Sequence, residues 1–248
     1  MSSELSGTTA LVTGGTSGIG RAAAVALAAL GAHVVISGRD AGRGAQAVET
    51  IRADGGRADF VATELRDEAS ARSLAARARE LLGHVDVLVN NAGIYPFGPT
   101  EKTTESAFDD VFSLNVKAPY FLVAELAPDM AERGAGAIIN VSTMVAEYGA
   151  AGMALYGASK AALVLLTKAW AAEYGPRGVR VNAVSPGPTR TEGTAGMGGD
   201  LTSLASQAPA GRTGDPQEIA DAIVFLASDR SSFVHGALLP VDGGRIAV

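Results

Sequence analysis

Residues 9–27 read Thr9-Ala-Leu-Val-Thr13, then Gly14-Gly-Thr-Ser-Gly18-Ile-Gly20, then Arg21-Ala-Ala-Ala-Val-Ala-Leu27. The first five residues are apolar or β-branched, as in a buried strand, and the last seven favour a helix. Glycines between them let the backbone turn sharply and approach a phosphate, whose charge the N–H groups and the positive end of the helix would hold. This unit predicts a dinucleotide site.

The same loop allows other interpretations, because residues 15–22 nearly match the GxxxxGK[ST] motif of phosphoryl-transfer proteins. Arg21 stands where that motif has lysine, and Ala22 offers no hydroxyl for Mg²⁺, so two of the required parts are missing. The GxGxxG fingerprint is not met either, and a tight turn with only a structural role is a further possibility. The loop alone is therefore a weak signal.

The rest of the chain repeats the alternation of strand and helix. Helical patterns such as Ala69 to Leu82 and Ala154 to Tyr174 separate short apolar runs that read as strands. Such alternation implies a parallel sheet covered on both faces. The sequence predicts one doubly wound α/β domain over residues 1–248, a Rossmann fold with a parallel, seven-stranded sheet. Besides Thr9–Thr13, the predicted strands are His33–Ser37, Ala58–Ala62, Val85–Val89, Ala137–Val141, Val179–Ala183 and Leu238–Val241.

Composition excludes several classes of function. The 20 basic and 26 acidic residues give a net charge of −6, which argues against a nucleic-acid or anionic-membrane surface. There is no cysteine, and the three histidines are scattered, so we expect no metal site. Met1–Glu4 lack the layout of a signal peptide, and a cytoplasmic location is expected.

Ligands bind such sheets beyond the carboxyl ends of the strands. Four loops in that position, residues 13–20, 90–98, 142–152 and 185–199, are rich in Gly, Asn, Ser or Thr. The last is too long and glycine-rich for a plain connector. We expect a mobile substrate lid at about residues 188–212, with an ordinary surface loop as the alternative.

The sequence resembles the classical short-chain dehydrogenase/reductase family, in particular its 3-oxoacyl-ACP-reductase-like members. The classical TGxxxGxG loop has its glycines here at 14, 18 and 20, whereas the extended type would need glycine where Ser17 stands. Five further family motifs follow in order: Asn90-Asn-Ala-Gly93; Asn115; Tyr156-x-x-x-Lys160; Pro186-Gly187 with Thr189 and Thr191; and Val241-Asp-Gly-Gly244. The resemblance implies hydride exchange between a nicotinamide and a carbonyl or alcohol, and a homo-tetramer or homo-dimer.

Such a reaction needs a group that gives a proton to the substrate oxygen in reduction and takes it away in oxidation. Tyr156 and Lys160 are one turn apart on a predicted helix, so their side chains share a face. A neighbouring cation favours phenolate, which predicts a lowered pKa for Tyr156 as the acid/base. The resemblance gives Asn115 the task of holding a water that links Lys160 to solvent. A buried asparagine that satisfies backbone groups is the alternative.

The family places a serine thirteen residues before the tyrosine, to hydrogen-bond the substrate oxygen. That position is Thr143 here, directly after Ser142. A threonine hydroxyl has the same donor and acceptor capacity, although its methyl group crowds the pocket. We assign the role to Thr143 and keep Ser142 as the alternative.

The end of the second predicted strand bears on the choice of nicotinamide. By resemblance, Gly38 replaces the aspartate of NAD-preferring members and Arg39 matches the basic position of NADP-preferring ones, so NADP(H) is favoured and NAD(H) remains possible. A guanidinium pairs well with phosphate. The predicted cofactor-binding residues are Gly14, Thr16, Ser17, Gly18, Ile19, Gly20, Arg39, Glu64, Leu65, Asn90, Ala92, Gly93, Tyr156, Lys160, Pro186, Gly187, Thr189 and Thr191.

The resemblance places a substrate cleft among mainly apolar or small residues, which favours a moderately apolar ketone or secondary alcohol. Its expected lining is Ile94 to Phe97, Met144 to Ala146, Gly149 to Met153 and Thr191 to Ala208. The sequence therefore predicts an NADP(H)-dependent oxidoreductase. The alternative is an NAD(P)-binding regulatory protein without turnover.

Overall fold

The computed structural model describes residues 4–248, so the prediction of no signal peptide from Met1–Glu4 falls largely outside it. Seven parallel strands form one sheet in the order β3-β2-β1-β4-β5-β6-β7. The doubly wound α/β fold predicted from the sequence is confirmed. The strands are β1 (Thr9–Thr13), β2 (His33–Gly38), β3 (Arg57–Ala62), β4 (Val87–Asn90), β5 (Gly136–Val141), β6 (Val179–Pro186) and β7 (Leu238–Val241).

Helices connect the strands and cover both faces of the sheet. Among residues 4–248, none of them combines the length and the apolar character needed to cross a lipid bilayer. The helices are α1 (Gly18–Ala29), α2 (Ala41–Ala53), α3 (Glu68–Leu82), α4 (Glu105–Phe112), α5 (Ala118–Arg133), α6 (Ala154–Tyr174), α7 (Gly199–Ala205) and α8 (Pro216–Ala227).

The central strand β1 shows why both faces are covered. Successive side chains of a strand point to opposite faces. Val12 packs in a core with Leu27 of α1 and Ile223 of α8. Its neighbour Leu11 packs in the other core, which includes Leu74 of α3. Because both faces of β1 are fully buried, the strand reads as a continuous apolar run.

The predicted boundaries differ most from the structure at β6, which continues to Pro186 rather than ending at Ala183, and at β4. Strand β4 begins at Val87 rather than Val85, directly after Asp86. Its carboxylate accepts hydrogen bonds from the backbone N–H and the hydroxyl of Thr9, both at 3.0 Å. These bonds tie the amino end of β1 to the start of β4. Because β1 and β4 are parallel, their carboxyl ends lie at the same edge of the sheet.

Candidate active site

A cleft of about 1190 Å³ runs along the carboxyl edge of the sheet. The glycine loop, the segments after the strands and the beginning of the expected lid form its walls. Most residues predicted for the site line this cleft, namely Gly14, Thr16, Ser17, Gly18, Ile19, Arg39, Glu64, Leu65, Ala92, Gly93, Ser142, Thr143, Tyr156, Lys160, Pro186, Gly187, Thr189 and Thr191. Gly20, Asn90 and Asn115 lie behind the walls.

The glycine loop packs directly against the turn after β4. Gly14 and Gly18 have φ angles of +63° and +50°, in the left-handed region that favours glycine. A Cβ on Gly14 would lie 3.0 Å from the Cα of Ala92. Larger residues at these two positions would strain the loop, which explains the spacing of its glycines.

Asn91, which the sequence analysis did not single out, holds the two loops together. Its Nδ2 donates to the backbone oxygens of Thr13 and Gly14, at 2.9 and 3.1 Å. The side chain of the predicted residue Asn90 is buried instead, and its Nδ2 donates to Oδ1 of Asn140 at 2.9 Å. Asn90 thus joins β4 to β5, and Asn91 faces the cleft. Successive residues of a strand point to opposite faces, and this alternation was the sequence signal that could have separated the roles of the two asparagines.

Lys160 is buried, with 3% of its surface exposed. Its Nζ donates to the backbone oxygen of Val141 at 2.8 Å, and burial lowers the pKa of the ammonium to about 8. A Cβ on Gly93 would lie 3.3 Å from this Nζ and 3.1 Å from Oδ1 of Asn115. Glycine at position 93 therefore preserves the space between the ammonium and the asparagine.

The pKa of Tyr156 is raised, whereas the sequence predicted that it would be lowered. Burial raises it to about 12, and a hydrogen bond with the Thr143 side chain offsets only part of this. In the protein alone, the loss of water around the phenol outweighs the favourable charge that Lys160 was expected to supply. Tyr156 is therefore held in its protonated form at neutral pH.

Thr143 and Ser142 both line the cleft, but they differ in their partners. The Thr143 side chain interacts with the Tyr156 phenol. The Ser142 hydroxyl is directed to the backbone oxygen of Lys160 at 3.4 Å, and the Ser142 backbone N–H donates to Val184 of β6. The Thr143 side chain, rather than that of Ser142, therefore acts on the pKa of the phenol.

Asn115 lies in a π-helical turn, residues 113–117, and is fully buried. Its Nδ2 donates to the backbone oxygen of Ile94 at 2.9 Å and to the Ser159 hydroxyl at 3.0 Å. Its Oδ1 accepts from the Ile94 N–H. The Ser159 hydroxyl in turn donates to the backbone oxygen of Tyr156 at 2.7 Å. Asn115 thus fastens the loop after β4 to α6, and its water-holding role remains a prediction.

Gly38 marks the far end of the cleft, at the carboxyl end of β2. A Cβ there would lie 2.7 Å from Cγ2 of Thr16, so the close approach of the glycine loop requires glycine. The next residue, Arg39, leaves 71% of its side chain exposed, and its guanidinium lies 4.0 Å from a Glu64 oxygen. This guanidinium is free to turn toward a ligand, because so weak and exposed a contact holds it little.

Two more arginines stand at this end, and sequence reasoning missed both. Arg43 of α2 lines the cleft and donates to Asp40 at 2.8 Å. Arg66 also lines it and pairs with Glu64, and this ion pair raises the pKa of Arg66. No sequence pattern indicated that Arg66 joins Arg39 and Arg43, because most of α2 and all of β3 lie between them in the chain. Glu64, one of the predicted cofactor-binding residues, pairs with Arg66.

Threonine side chains at the start of the expected lid form local hydrogen bonds. The Thr189 hydroxyl donates to the backbone oxygen of Gly187 at 2.9 Å. The backbone N–H of Thr191 donates to the Thr194 hydroxyl at 2.9 Å. The neighbouring Glu192, not singled out from the sequence, reaches the glycine loop and accepts from the Gly18 N–H at 2.9 Å. Residues 189–194 therefore form a folded strap beside the cleft, followed by the short helix α7.

The other end of the cleft, next to Tyr156, is apolar. The ring centroid of Tyr95 lies 6.0 Å from that of Tyr156, edge to face. Of the expected substrate lining, Phe97, Ala146, residues 149–152 and much of 191–208 do not line the cleft. Phe97 packs on Gly152 instead. The apolar residues that do line this end are Ile94, Tyr95, Pro96, Met144, Val145, Met153, Met197, Leu201 and Leu204.

These features define a class of protein. An open parallel sheet, a glycine-rich turn at a helix N-terminus and a cleft at the carboxyl edge are typical of doubly wound nucleotide-binding proteins. Over the described residues, His, Asp and Glu side chains form no group of three that could hold a metal ion.

Comparison with known proteins shows to which family of nucleotide-binding proteins the chain is similar. The family model described as Enoyl-(Acyl carrier protein) reductase matches residues 14–245. L-rhamnose 1-dehydrogenase (NAD(P)(+)) of Azotobacter vinelandii is 44% identical over 244 residues, which cover 95% of each chain. Cis-4-hydroxycyclohexanecarboxylate dehydrogenase of Sinomonas cyclohexanicum is 42% identical over 242 residues, 96% of each chain.

Among solved structures, a blue fluorescent protein from a metagenomic library, in complex with NADPH, is 36% identical with a TM-score of 0.92. The match covers 98% of this chain and 99% of that one. The chain belongs to the short-chain dehydrogenase/reductase family. It is accordingly an oxidoreductase of the hydride-transferring kind that uses a nicotinamide cofactor.

Proposed function

We propose that this protein transfers a hydride between NADP(H) and the carbonyl or secondary alcohol of a small, moderately apolar substrate, with Tyr156 as the acid/base. One observation carries the proposal. Tyr156 and Thr143 line the cleft that the glycine loop borders, the Thr143 side chain lowers the pKa of the phenol, and Lys160 lies one helical turn away on α6.

The cleft fits a dinucleotide. The α1 N-terminus lies at the glycine loop, and the glycines at 14 and 38 pack where a Cβ would collide with neighbouring atoms. The N–H groups at the start of α1 would hold the pyrophosphate, and Thr189 and Thr191 would contact the nicotinamide half. When bound, the nicotinamide supplies or accepts the hydride.

The proton chemistry follows from the state of Tyr156. Since burial raises its pKa to about 12, the phenol is protonated at neutral pH and can donate to a substrate oxygen that gains negative charge. In oxidation the phenolate is needed. The positive charge of Lys160 and the hydrogen bond with Thr143 both favour that form.

NADP(H) is preferred over NAD(H) in this proposal because of the charges at the end of β2. Gly38 offers no carboxylate to a ribose hydroxyl, and three guanidiniums stand around the same end, those of Arg39, Arg43 and Arg66. A 2′-phosphate would pair with guanidinium groups, whose planar fork matches phosphate oxygens.

A moderately apolar substrate is supported by the side chains that face Tyr156. Tyr95, Met144, Val145 and Met153 surround the phenol with apolar surface. Among residues 4–248, the arginines and lysines that line the cleft, apart from Lys160, all lie at its nucleotide end. A carboxylate or phosphate on the substrate would therefore find no cation to pair with beyond Lys160.

We also propose that the chain forms a homo-oligomer through α6. The exposed face of this helix carries Ala154, Ala158, Ala161, Leu165, Ala169 and Ala172. Leu165 leaves 69% of its surface exposed. Such a continuous apolar face is typical of a subunit interface.

The test compares three variants with NADPH and a panel of ketones that includes acyl thioesters, steroids and quinones. Tyr156→Phe should lower kcat by about 10²–10⁴-fold, because it removes the proton donor. Thr143→Ala should lower kcat by about 10²–10³-fold through loss of a hydroxyl that stabilises charge on the substrate oxygen. Ser142→Ala should stay close to the unmodified protein.

NADPH binding, followed by fluorescence, serves as the control, because all three variants should keep it. Full activity of Tyr156→Phe would contradict the proposal, and loss of activity only in Ser142→Ala would move the role of Thr143 to Ser142. Binding of NADPH without its oxidation by any member of the panel would favour the regulatory alternative.

A further inference from the structure

Glu192 connects the lid to the glycine loop. Its Oε2 accepts a hydrogen bond from the Gly18 backbone N–H at 2.9 Å, and its Oε1 pairs with the guanidinium of Arg21 at 2.5 Å. Gly18 is the first residue of α1, and Arg21 lies in the first turn. A carboxylate from a distant part of the chain thus sits at the positive end of this helix.

Among the described residues, neither the N-cap nor the first turn of α1 supplies an anion. The side chain of Ser17, which precedes the helix, makes no capping hydrogen bond, and the first turn contains no acidic residue. Helix N-termini leave backbone N–H groups that need an acceptor. Glu192 supplies that acceptor in the protein alone.

The charge of Glu192 is stabilised by these contacts. Partial burial acts to raise its pKa, but hydrogen bonds from backbone N–H groups, including that of Gly18, and the nearby Arg21 lower it overall. The side chain is therefore a carboxylate at neutral pH. It presents to α1 the same chemistry as a phosphate oxygen.

Thr191 and Gly193, the neighbours of Glu192, pack against opposite walls of the cleft. A Cβ on Gly18 would lie 3.1 Å from the Thr191 side chain. A Cβ on Gly193 would lie 2.2 Å from the Tyr95 hydroxyl. Residues 191–193 therefore lie between the glycine loop and the substrate end, and Glu192 holds them there.

We propose that Glu192 is an intramolecular competitor for the pyrophosphate of the dinucleotide: it latches the lid onto α1, and the bound cofactor displaces it. The inference rests on the proposed dinucleotide site but not on the proposed hydride transfer. A carboxylate and a pyrophosphate repel each other and require the same N–H groups, so both cannot occupy the α1 N-terminus. Displacement would free Arg21 for a phosphate oxygen and detach residue 192 from the loop.

The latch has a consequence for binding order. While Glu192 contacts α1, Thr191 and Gly193 are held against the two walls, beside the substrate end. Release of Glu192 by the cofactor would let this segment rearrange before the substrate enters. The cofactor would then bind first, with an affinity lowered by the cost of breaking the latch.

The experiment measures dissociation constants of ADP, NADPH and adenosine by calorimetry for the unmodified protein and Glu192→Gln. Removal of the competing charge should lower the Kd of ADP and of NADPH by about three- to tenfold, whereas adenosine, which lacks a pyrophosphate, should bind equally to both. Glu101→Gln, at an exposed glutamate, makes the same change in net charge and should alter none of the three values.

A second measurement reports on the latch without any ligand. In Glu192→Ala, hydrogen exchange at the start of α1 should be faster than in the unmodified protein, because Gly18 loses its acceptor. Equal Kd values for ADP in Glu192→Gln and the unmodified protein would overturn the competitor role while leaving the dinucleotide site intact. Failure of ADP and NADPH to bind any variant would overturn the site itself, and the latch with it.

Discussion

At Tyr156, burial and a hydrogen bond from Thr143 act in opposite directions on the pKa of the phenol. The phenol loses water and its pKa rises to about 12, while Lys160, whose own pKa burial lowers to about 8, still carries a charge in most molecules at pH 7. A single residue change on the wall, Tyr95 for example, would alter this balance by admitting water. The apolar surroundings of the phenol are therefore part of its proposed chemistry, because they set how strongly it holds the proton.

Arg39 is the residue that we expect to decide the choice of cofactor. Arg39→Asp should lower the ratio of kcat/KM for NADPH to that for NADH by about 10- to 150-fold, since a hydrogen bond between charged groups contributes about 1.5–3 kcal/mol. The introduced carboxylate would repel a 2′-phosphate and accept from a ribose hydroxyl.

The measurement is steady-state kinetics with both cofactors and one ketone. Arg77→Asp on α3, whose side chain is 57% exposed and does not line the cleft, makes the same change in charge and should leave the ratio unaltered. An unchanged ratio in Arg39→Asp would shift the assignment to Arg43 and Arg66.

At the scale of elements, close packing of the glycine loop on the turn after β4 shapes the nucleotide end. Gly20 lies inside α1, where its φ angle is ordinary, so conformational freedom is not the reason for glycine there. A Cβ at this position would lie 2.3 Å from Nδ2 of Asn91 and 2.4 Å from the backbone oxygen of Gly14. The helix can therefore approach the loop only without a side chain.

Gly20→Ala should displace Asn91 or the loop that it holds. We expect a loss of about 1–3 kcal/mol in the free energy of unfolding, seen as a Tm lower by about 2–12 °C, and weaker binding of NADPH. Thermal unfolding and fluorescence titration measure the two effects.

Gly98→Ala is the matched control for Gly20→Ala. An added Cβ at Gly98 meets no atom within 4 Å among residues 4–248, and its φ angle is not in the left-handed region. Its Tm should stay within about 1–2 °C of the unmodified protein, consistent with the small effect of surface substitutions. An unaltered Tm and NADPH affinity in Gly20→Ala would contradict the prediction, because the loop would then accommodate the added Cβ with no loss of stability.

At the scale of the whole molecule, the parallel sheet gathers side chains from six connections at one edge, and an exposed stripe of α6 carries alanines and Leu165. Leu165→Glu should convert the proposed oligomer to a smaller species, because a charge would be buried in the interface. Size-exclusion chromatography with light scattering gives the mass.

Leu81→Glu on α3, also an exposed leucine, is the control and should leave the mass unaltered. If the unmodified chain already has the mass of a monomer, the proposed oligomer is wrong. If Leu165→Glu keeps the full mass, the interface lies on another face.

The sequence by itself determined the alternation of strands and helices, the strand count and the family. Residues 9–27 were sufficient for the first unit, since a buried apolar run, glycines and a helix former act through local physics. The predicted helix over Ala154–Tyr174 agrees with α6 residue for residue. The preference of a segment for helix or strand can be predicted from the sequence, because it depends only on residues that are near neighbours in the chain.

Only the tertiary structure decided which side chains meet across long separations. The contact of Glu192 with Gly18 spans 174 positions, and Asn91 reaches Gly14 across 77. The raised pKa of Tyr156 likewise comes from burial by the surrounding segments. These features follow from how elements pack at the sheet edge, and packing depends on the whole set of distant contacts rather than on any local pattern.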